Sequence, residues 1–252
     1  MAPTIMIDSG HGGMDNGATY KGRKEKDDNL KIGLAVGERL EDAGYNVLYT
    51  RTTDVYDTPF QKAQKANNAG ADYFFSFHRN SGEVPNTYSG AQALVYSDNT
   101  RAAQIGENIM EQLVALGFKD LGVVERPGLV VLRRTNMPAV LLELGFINND
   151  ADNRIFDEQF NEMADAIVRG IEESIPLAPQ ARQYGVQVGL FRYRSNAEYL
   201  QEELEEMGYT VTVRREEPYF VVVVGREPTL DAATNLQTQL RRQGYETLVV
   251  RI

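Results

Sequence analysis

The chain contains two histidines among its 252 residues, and each of them follows an apolar run that predicts a β-strand. His11 comes after Thr4-Ile5-Met6-Ile7-Asp8 and a Ser-Gly turn, and His78 comes after Tyr73-Phe74-Phe75-Ser76-Phe77. Because ligands of α/β proteins bind beyond the carboxyl ends of the strands, we expect both imidazoles at one site. Imidazole with carboxylate is a ligand set of zinc, and a catalytic zinc commonly keeps three protein ligands and one open position. With no cysteine in the chain, carboxylates are the first candidates to complete the site.

Glu25 is the carboxylate that we favour as the third ligand. It belongs to the acidic segment Lys24-Glu25-Lys26-Asp27-Asp28-Asn29-Leu30, where the first long helix is predicted to begin. Acidic residues are common at helix N-termini because they stabilise the helix dipole, so each of them could be no more than a cap. Glu25 is predicted in the loop before the helix, from which it can turn back over the strand ends.

Glu143 is the candidate for proton transfer, since it interrupts the apolar run Ala139-Val140-Leu141-Leu142-Glu143-Leu144. Burial disfavours the charge of a carboxylate and raises its pKa, which suits a general base or acid near neutral pH. The alternative is a buried glutamate that is paired with Arg133 or Arg134.

Arg79 and Asn80 directly follow His78 in the chain. Both have side chains that could orient a substrate, or could cap the loop after the strand. The sequence alone leaves the two interpretations open.

Helix and strand patterns alternate through the first two thirds of the chain, which predicts an α/β fold with a mostly parallel twisted sheet and helices on both faces. Glycine or proline marks several helix ends, such as Pro59 and Gly70 around the second helix. The predicted strands are Thr4–Asp8, Val47–Thr50, Tyr73–Phe77, Ala91–Tyr96, Leu129–Leu132 and Ala139–Leu142, and the predicted helices are Asn29–Ala43, Pro59–Ala69, Thr100–Leu116 and Gln159–Ser174.

The tail of the chain repeats itself with an offset of 36 residues, which predicts a separate small domain. Val188-Gly189 returns as Val224-Gly225, and Gly208-Tyr209 returns as Gly244-Tyr245. Each half has the pattern strand, helix, strand, so two halves form an α+β domain of βαββαβ type. We therefore expect a catalytic domain at residues 1–175, a proline-containing linker at 176–183 and a C-terminal domain at 184–252.

The chemistry-bearing segments together resemble the zinc-dependent N-acetylmuramoyl-L-alanine amidases of the type-3 amidase family, over about residues 3–175. The matching pieces are Gly-His-Gly-Gly at residues 10–13, Glu25-Lys26 before Asn29-Leu30, Ser76-Phe77-His78-Arg79-Asn80, and Glu143-Leu144-Gly145-Phe146. The resemblance implies Zn²⁺ on His11, Glu25 and His78, with Glu143 as the catalytic glutamate. It implies hydrolysis of the amide between N-acetylmuramic acid and L-alanine, with water activated by zinc. The chain departs from the family pattern at Ser9, where proline is frequent, and at Arg79, where a small residue is frequent; Arg79 is expected to add a cation beside the site and to affect the preferred stem peptide.

The tail resembles a SPOR domain, on the segment Tyr184-Gly185-Val186-Gln187-Val188-Gly189-Leu190-Phe191 and the duplicated Gly-Tyr pattern. The resemblance implies binding to glycan strands that have lost their stem peptides. Aromatic rings stack on sugars, which makes Phe191, Tyr193 and Phe220 candidates for substrate binding. The alternative places Phe191 and Phe220 in the core of this domain.

The two resemblances imply peptidoglycan as the partner, as muropeptide at the catalytic domain and as glycan strand at the C-terminal domain, and composition argues against other classes of partner. The net charge of −10 argues against nucleic acid, which needs clustered Lys and Arg, and against an anionic membrane. No apolar run is long enough for a transmembrane helix, and the N-terminal residues lack a signal-peptide pattern. We expect action at the bacterial cell wall after export by another route or release by lysis, as an autolysin or a phage endolysin.

Two further functions are compatible with parts of this pattern. An inactive wall-binding protein would keep the fold, although it would have no chemical need for three ligands and Glu143. A zinc peptidase or deacetylase acting on the cell wall would keep the metal and change the bond that is cleaved.

Overall fold

The computed structural model describes residues 2–177 and 183–252 and divides the chain into two compact units, Met1–Ala178 and Pro179–Ile252. Most of the linker predicted at residues 176–183 falls on residues 178–182, which lie outside the described residues. In the described part of the chain, each helix is too short or too polar to cross a membrane.

The first unit alternates strands and helices. The elements are β1 (Thr4–Ser9), β2 (Thr19–Tyr20), β3 (Arg23–Lys24), α1 (Glu25–Ala43), β4 (Asn46–Tyr49), α2 (Pro59–Ala69), β5 (Tyr73–Asn80), β6 (Ala91–Val95), α3 (Arg101–Ala115), β7 (Asp120–Glu125), α4 (Val130–Arg134), β8 (Ala139–Phe146), α5 (Asp150–Glu158) and α6 (Phe160–Ser174). Six of the strands form a sheet of order β4-β1-β5-β8-β6-β7. Neighbouring strands are parallel except β6 and β8, which are antiparallel, so the prediction of a mostly parallel α/β sheet is confirmed.

Side chains of the central strands alternate between two apolar cores, one on each face of the sheet. Phe75 and Phe77 of β5 belong to the larger core, which is built with α1, α3 and α6. Phe74 of the same strand belongs to the smaller core, beside α2 and α4. The face on which a residue lies therefore decides which helices cover it.

Local signals in the sequence explain why α2 begins and ends where it does. Thr58 caps the helix by accepting a hydrogen bond from the backbone N–H of Gln61, whose side chain bonds back to Thr58, and Pro59 fills the first turn. Gly70 ends the helix with the left-handed φ of 63°.

The predictions for this unit were wrong in the type of one element, in one strand that was missed and in the start of the first helix. Residues 129–132, predicted as a strand, lie mostly in the short helix α4, because so short an apolar run carries no periodicity that separates helix from strand. The sequence analysis also missed β7 (Asp120–Glu125), which is an edge strand of the sheet. The first helix begins at Glu25 and not at Asn29, so Glu25 is helical.

The second unit has the predicted order strand, helix, strand, strand, helix, strand. The elements are β9 (Tyr184–Phe191), α7 (Arg194–Glu206), β10 (Val211–Glu216), β11 (Tyr219–Glu227), α8 (Leu230–Arg242) and β12 (Leu248–Arg251). The four strands form an antiparallel sheet of order β10-β11-β9-β12, and one face packs on the two helices. Leu204 and Leu240, which correspond in the repeat, are both fully buried in this core.

Candidate metal centre

The carboxyl ends of the neighbouring parallel strands β1, β5 and β8 bring three polar side chains together. Asp8 and Glu143 lie two residues beyond Met6 and Leu141 of the smaller core, and His78 lies four residues beyond Phe74 of that core. Alternation therefore places all three on the face covered by α2 and α4. In the register of β5 and β8, His78 pairs directly with Glu143. The site therefore lies where the smaller core ends.

The turn that carries His11 has a left-handed backbone, with a φ of 59° at His11 itself. Two buried cations bind the carbonyl groups that precede it. Arg51 donates to the carbonyl oxygens of Ser9 and Gly10, both at 3.0 Å, and Lys62 donates to Ser9 at 2.7 Å. These bonds hold a conformation that a non-glycine residue adopts only at a cost.

The imidazole of His11 is oriented by Asp15. Its Nδ1 atom lies 2.7 Å from Oδ2 of Asp15, and the other carboxylate oxygen of Asp15 accepts a 3.0 Å bond from the N–H of Gly17. Histidines that bind metals are commonly held in this way through the second ring nitrogen. The Nε2 atom of His11 is thereby left to face Glu25.

Glu25 lies between the two histidines as the first residue of α1 and is 4% exposed. Its Oε1 atom is 2.8 Å from Nδ1 of His78, and its Oε2 atom is 3.1 Å from Nε2 of His11. The backbone N–H groups of Ala18 and Arg79 donate to the same carboxylate, at 2.9 and 3.2 Å. The expectation that Glu25 lies in a loop was wrong, but its place in the first turn of the helix still aims it at the strand ends.

These three residues form a group that could hold a metal ion. One ligand atom from each of His11, Glu25 and His78 lies within 4.8 Å of the others. Two glycines leave the room that the ligands occupy: a Cβ atom at Gly10 would lie 2.4 Å from the ring of His78, and one at Gly17 would lie 2.5 Å from Glu25. Two imidazoles and one carboxylate fit a catalytic zinc ion, which takes three such ligands.

The electrostatics of the three residues also suit a cation. Burial opposes the protonation of His11, but the carboxylates of Glu25 and Asp15 outweigh it and raise the pKa of His11 to about 9. Burial alone would raise the pKa of Glu25, yet the hydrogen bonds and charges of His11 and His78 hold it well below its usual range. In the metal-free protein, a proton on His11 therefore supplies the positive charge that the site favours.

Glu143 is largely buried next to this group. Burial, with a smaller contribution from the charge of Glu25, raises the pKa of Glu143, while the two histidines oppose the shift. Its Oε2 atom is buried and has no hydrogen-bond partner among the described residues. Arg133 and Arg134, considered above as partners, are exposed at the end of α4. Glu143 is thus a carboxyl group with a free buried oxygen at the edge of the site.

The expectation that Arg79 adds a cation beside the substrate was wrong. Its side chain follows Phe75 and Phe77 onto the opposite face of the sheet, where it is 2% exposed. There it donates to Asp28 at 2.7 Å and to Asn153 at 2.7 Å. Arg79 therefore anchors β5 to α1 and α5, and its side chain is not available to a substrate.

Asn80 is half-buried at the end of β5. Its side chain accepts a 2.8 Å hydrogen bond from the N–H of Ser81, which is the capping role considered for it. A role in substrate binding remains a prediction.

The aromatic residues proposed for the C-terminal sheet divide into two groups. Phe191 and Phe220 are cross-strand neighbours and pack against the core on the helix side of the sheet. A register shift in β9 places Val188 as an extra residue, so the alternation reverses and Leu190 faces outward instead of Phe191. Of the three candidates, Tyr193 alone is exposed, at 72%.

Sequence reasoning missed the residues that support the ligands, namely Asp15, Arg51 and Lys62. Asp15 lies four residues after His11 in the same glycine-rich turn, which is the signal that could have identified it. Arg51, from the loop after β4, and Lys62, from α2, are brought to the turn by the fold, and nothing in their local sequence marks them.

Both units of the chain are similar to known families and proteins. The Amidase_3 family model, described as N-acetylmuramoyl-L-alanine amidase, matches residues 5–173, and the SPOR domain model matches residues 180–251. The chain is 35% identical over 213 residues to a sporulation-specific N-acetylmuramoyl-L-alanine amidase of Bacillus subtilis, covering 81% of this chain and 82% of that protein. It is 36% identical over 185 residues to an endolysin of Bacillus phage SPP1, covering 70% and 68%.

A crystal structure of N-acetylmuramoyl-L-alanine amidase from Clostridium difficile 630 has a similar fold. It superimposes with a TM-score of 0.65 and 33% sequence identity, and the match covers 68% of this chain and 96% of that one.

Proposed function

Because the chain belongs to the N-acetylmuramoyl-L-alanine amidase family, we propose that it hydrolyses its peptidoglycan amide with zinc on His11, Glu25 and His78, and with Glu143 as the proton carrier. The observation that carries the proposal is the adjacency of two features. One is the His-Glu-His group, whose ligand atoms lie within 4.8 Å of one another, and the other is the unpartnered buried oxygen of Glu143.

The reaction adds water to the lactyl carbonyl carbon and breaks its bond to the nitrogen of L-alanine. Zinc, when bound, supplies a Lewis acid that polarises the carbonyl and lowers the pKa of water. Glu143 accepts a proton from the attacking water at its free oxygen and then donates it to the leaving nitrogen. A raised pKa suits both steps, because the carboxyl group must take up and release a proton near neutral pH.

The protein acts on the cell wall through two units, and we propose a division of labour between them. Residues 1–175 hold the muropeptide at the metal centre. Residues 184–252 bind the glycan strand, which is what similarity to the SPOR family supports.

Replacement of the proton carrier and of a ligand tests the catalytic proposal. Glu143→Gln is expected to keep bound zinc and to lose about 10²–10⁴-fold in activity on purified walls. His78→Ala is expected to lose zinc as well, and Glu107→Gln, exposed on α3, is the matched control that changes neither. Zinc content and the fall in turbidity of walls measure these effects.

If Glu143→Gln had native activity, the glutamate would not be the proton carrier. If dialysis against a strong chelator left native activity, the reaction would not need a metal. Mass analysis of the products identifies the cleaved bond, because an amidase releases stem peptides that begin with L-alanine.

A further inference from the structure

One guanidinium group joins the turn that carries His11 to the helix that begins with Glu25. It belongs to Arg51, which lies in the loop after β4 and is 3% exposed. Its Nη2 atom donates to the carbonyl oxygen of Gly10 at 3.0 Å and to that of Lys26 at 2.8 Å. Gly10 directly precedes His11 in the chain, and Lys26 directly follows Glu25. A single nitrogen atom therefore bridges the two backbone segments that carry these ligands.

A second connection comes from the same loop and lies on the other side of His11. One carboxylate oxygen of Asp54 accepts a 2.7 Å hydrogen bond from the N–H of Gly13, and the other accepts a 2.7 Å bond from Nζ of Lys26. Lys26 also donates directly to the carbonyl oxygen of Gly13, at 2.7 Å. Residues 51–54, which we call the clamp loop, therefore attach α1 to the backbone on both sides of His11.

Arg51 is a buried cation whose hydrogen bonds, within the described part of the chain, all go to backbone carbonyl oxygens. Burial lowers the pKa of this guanidinium, and the charge of Asp8 is the largest effect that opposes the shift. A buried charge costs free energy that an apolar side chain would not cost. An apolar side chain, however, donates no hydrogen bond, and a lysine lacks the rigid planar fork that donates in several directions. The chemistry of Arg51 thus suits the cross-linking of backbone segments.

The spacing of the two connected ligands is close to the spacing that a metal ion requires. Nε2 of His11 lies 3.1 Å from Oε2 of Glu25. Two ligand atoms bound at about 2.0–2.1 Å to a tetrahedral zinc ion lie roughly 3.3–3.4 Å apart. The clamp loop therefore holds the pair near its metal-binding separation in the metal-free protein.

We propose that Arg51 is a positioning residue for the metal, because it sets the separation of His11 and Glu25 through their backbones. The inference rests on the proposed function, since it takes the His-Glu-His group as the zinc site. Arg51 itself contacts neither the ion nor the substrate in this role. The affinity of the folded protein for zinc is then the property that depends on its guanidinium.

Titration of the full chain with zinc, in competition with a chelating indicator, tests this role without turnover. Arg51→Lys keeps the charge and loses the fork, and its zinc Kd is expected to rise about 10–100-fold, as is usual when the support of a metal ligand is removed. Arg39→Lys is the matched control with an unchanged zinc Kd. Arg39 also bonds a backbone carbonyl, at Ala35, and a carboxylate, at Asp165, but it lies near the other end of α1.

A second variant tests the clamp loop from its exposed side, where folding of the core is not at risk. The side chain of Asp54 is 49% exposed. Asp54→Ala is expected to keep the melting temperature of the wild type and to raise the zinc Kd about fivefold, which corresponds to the loss of one or two hydrogen bonds.

Cobalt(II) in place of zinc measures the geometry of the site separately from its affinity. At saturating cobalt, the wild type is expected to show the visible absorption of a four-coordinate ion, and Arg51→Lys is expected to show weaker bands, because His11 and Glu25 are no longer held at one separation. A residue that served only the stability of the fold would leave this spectrum unchanged.

A wild-type zinc Kd and cobalt spectrum in folded Arg51→Lys would overturn the positioning role, and so would an equal rise of the Kd in Arg39→Lys. If Arg51→Lys does not fold, a wild-type Kd in Asp54→Ala would overturn it. A wild-type chain that binds no zinc would instead overturn the proposed function, so the two failures are distinguishable.

Discussion

His11 is the residue at which the charge state of the site is decided. The carboxylates of Glu25 and Asp15 raise its pKa to about 9 in the metal-free protein, while the unfolded chain has the ordinary value of about 6.5. The folded state therefore binds a proton that the unfolded state has lost between these two pH values. A metal bound to His11 requires the neutral imidazole, so the zinc-loaded folded state disfavours the proton that the metal-free folded state favours.

The stability of the metal-free protein and that of the zinc-loaded protein are accordingly expected to change with pH in opposite directions. The contribution of His11 to the stability of the metal-free protein is fully present below pH 6.5 and is lost as the pH rises through about 9. Glu25 is ionised throughout this window and adds no slope. The zinc-loaded protein gains stability as the pH rises towards the same window, because protons no longer compete for the ligands. Denaturant unfolding at constant ionic strength measures both curves.

His11→Asn is the matched variant, in which the fall between pH 6.5 and 9 should be largely absent without metal. A metal-free wild type whose stability is constant over this range would contradict the protonated His11–Glu25 pair.

Strand β5 shows how one element serves both catalysis and anchoring. Alternate residues point to opposite faces, so His78 reaches the metal centre while Arg79 is buried under α1 and α5. Arg23 also binds Asp28 from the side, at 2.6 Å, which makes Asp28 the shared partner of two arginines. The strand is thereby fixed to the helix that carries Glu25.

Arg79→Met is expected to destabilise the protein by about 3 kcal/mol, because it removes the buried cation from an ion pair and leaves Asp28 with Arg23 alone. The relative rates on different stem peptides should stay as in the wild type. Thermal or denaturant unfolding gives the first quantity, and competition between muropeptides gives the second. Unchanged stability together with an altered stem-peptide preference would return Arg79 to the substrate site.

The same alternation explains how much could be predicted from the sequence. Most of the order of strands and helices followed from apolar periodicity, although β7 was missed and α4 was predicted as a strand. The positions of His11, His78 and Glu143 followed from the ends of strands. The direction of Arg79 was also available, because Phe75, Phe77 and Arg79 share a face. The outward position of Leu190 could not be predicted from the sequence. One extra residue in β9 reverses the alternation, and this extra residue is seen only in the pairing of β9 with β11.

The C-terminal unit has an apolar core that is separate from the two cores of the first unit, so the proposed wall binding can be tested apart from catalysis at the level of the whole molecule. The C-terminal unit has its own buried cluster, and its outward sheet face carries Leu190 and Leu248, which are 52% and 59% exposed. Phe191, one residue from Leu190, faces the core. Neighbouring residues therefore allow a test that distinguishes surface from core.

In the inactive Glu143→Gln background, Leu190→Ser is expected to weaken retention on walls whose stem peptides have been removed, with an unchanged melting temperature of the C-terminal unit. Phe191→Ser is expected to lower that melting temperature by creating a cavity in the core. Sedimentation with treated and untreated walls, together with calorimetry, separates these effects. Equal retention on both kinds of wall would contradict binding to stripped glycan strands.

The space around the ligands has a consequence for how active members of such a fold are recognised. Gly10 and Gly17 bear no functional group, yet a single methyl at either position would overlap His78 or Glu25. A chain that retained every ligand and the proton carrier, but had alanine at one of these positions, would satisfy any inventory of reactive side chains and still have a ligand forced out of its place. The absence of a side chain at Gly10 and at Gly17 is therefore as necessary to the metal centre as the ligands that fill the space.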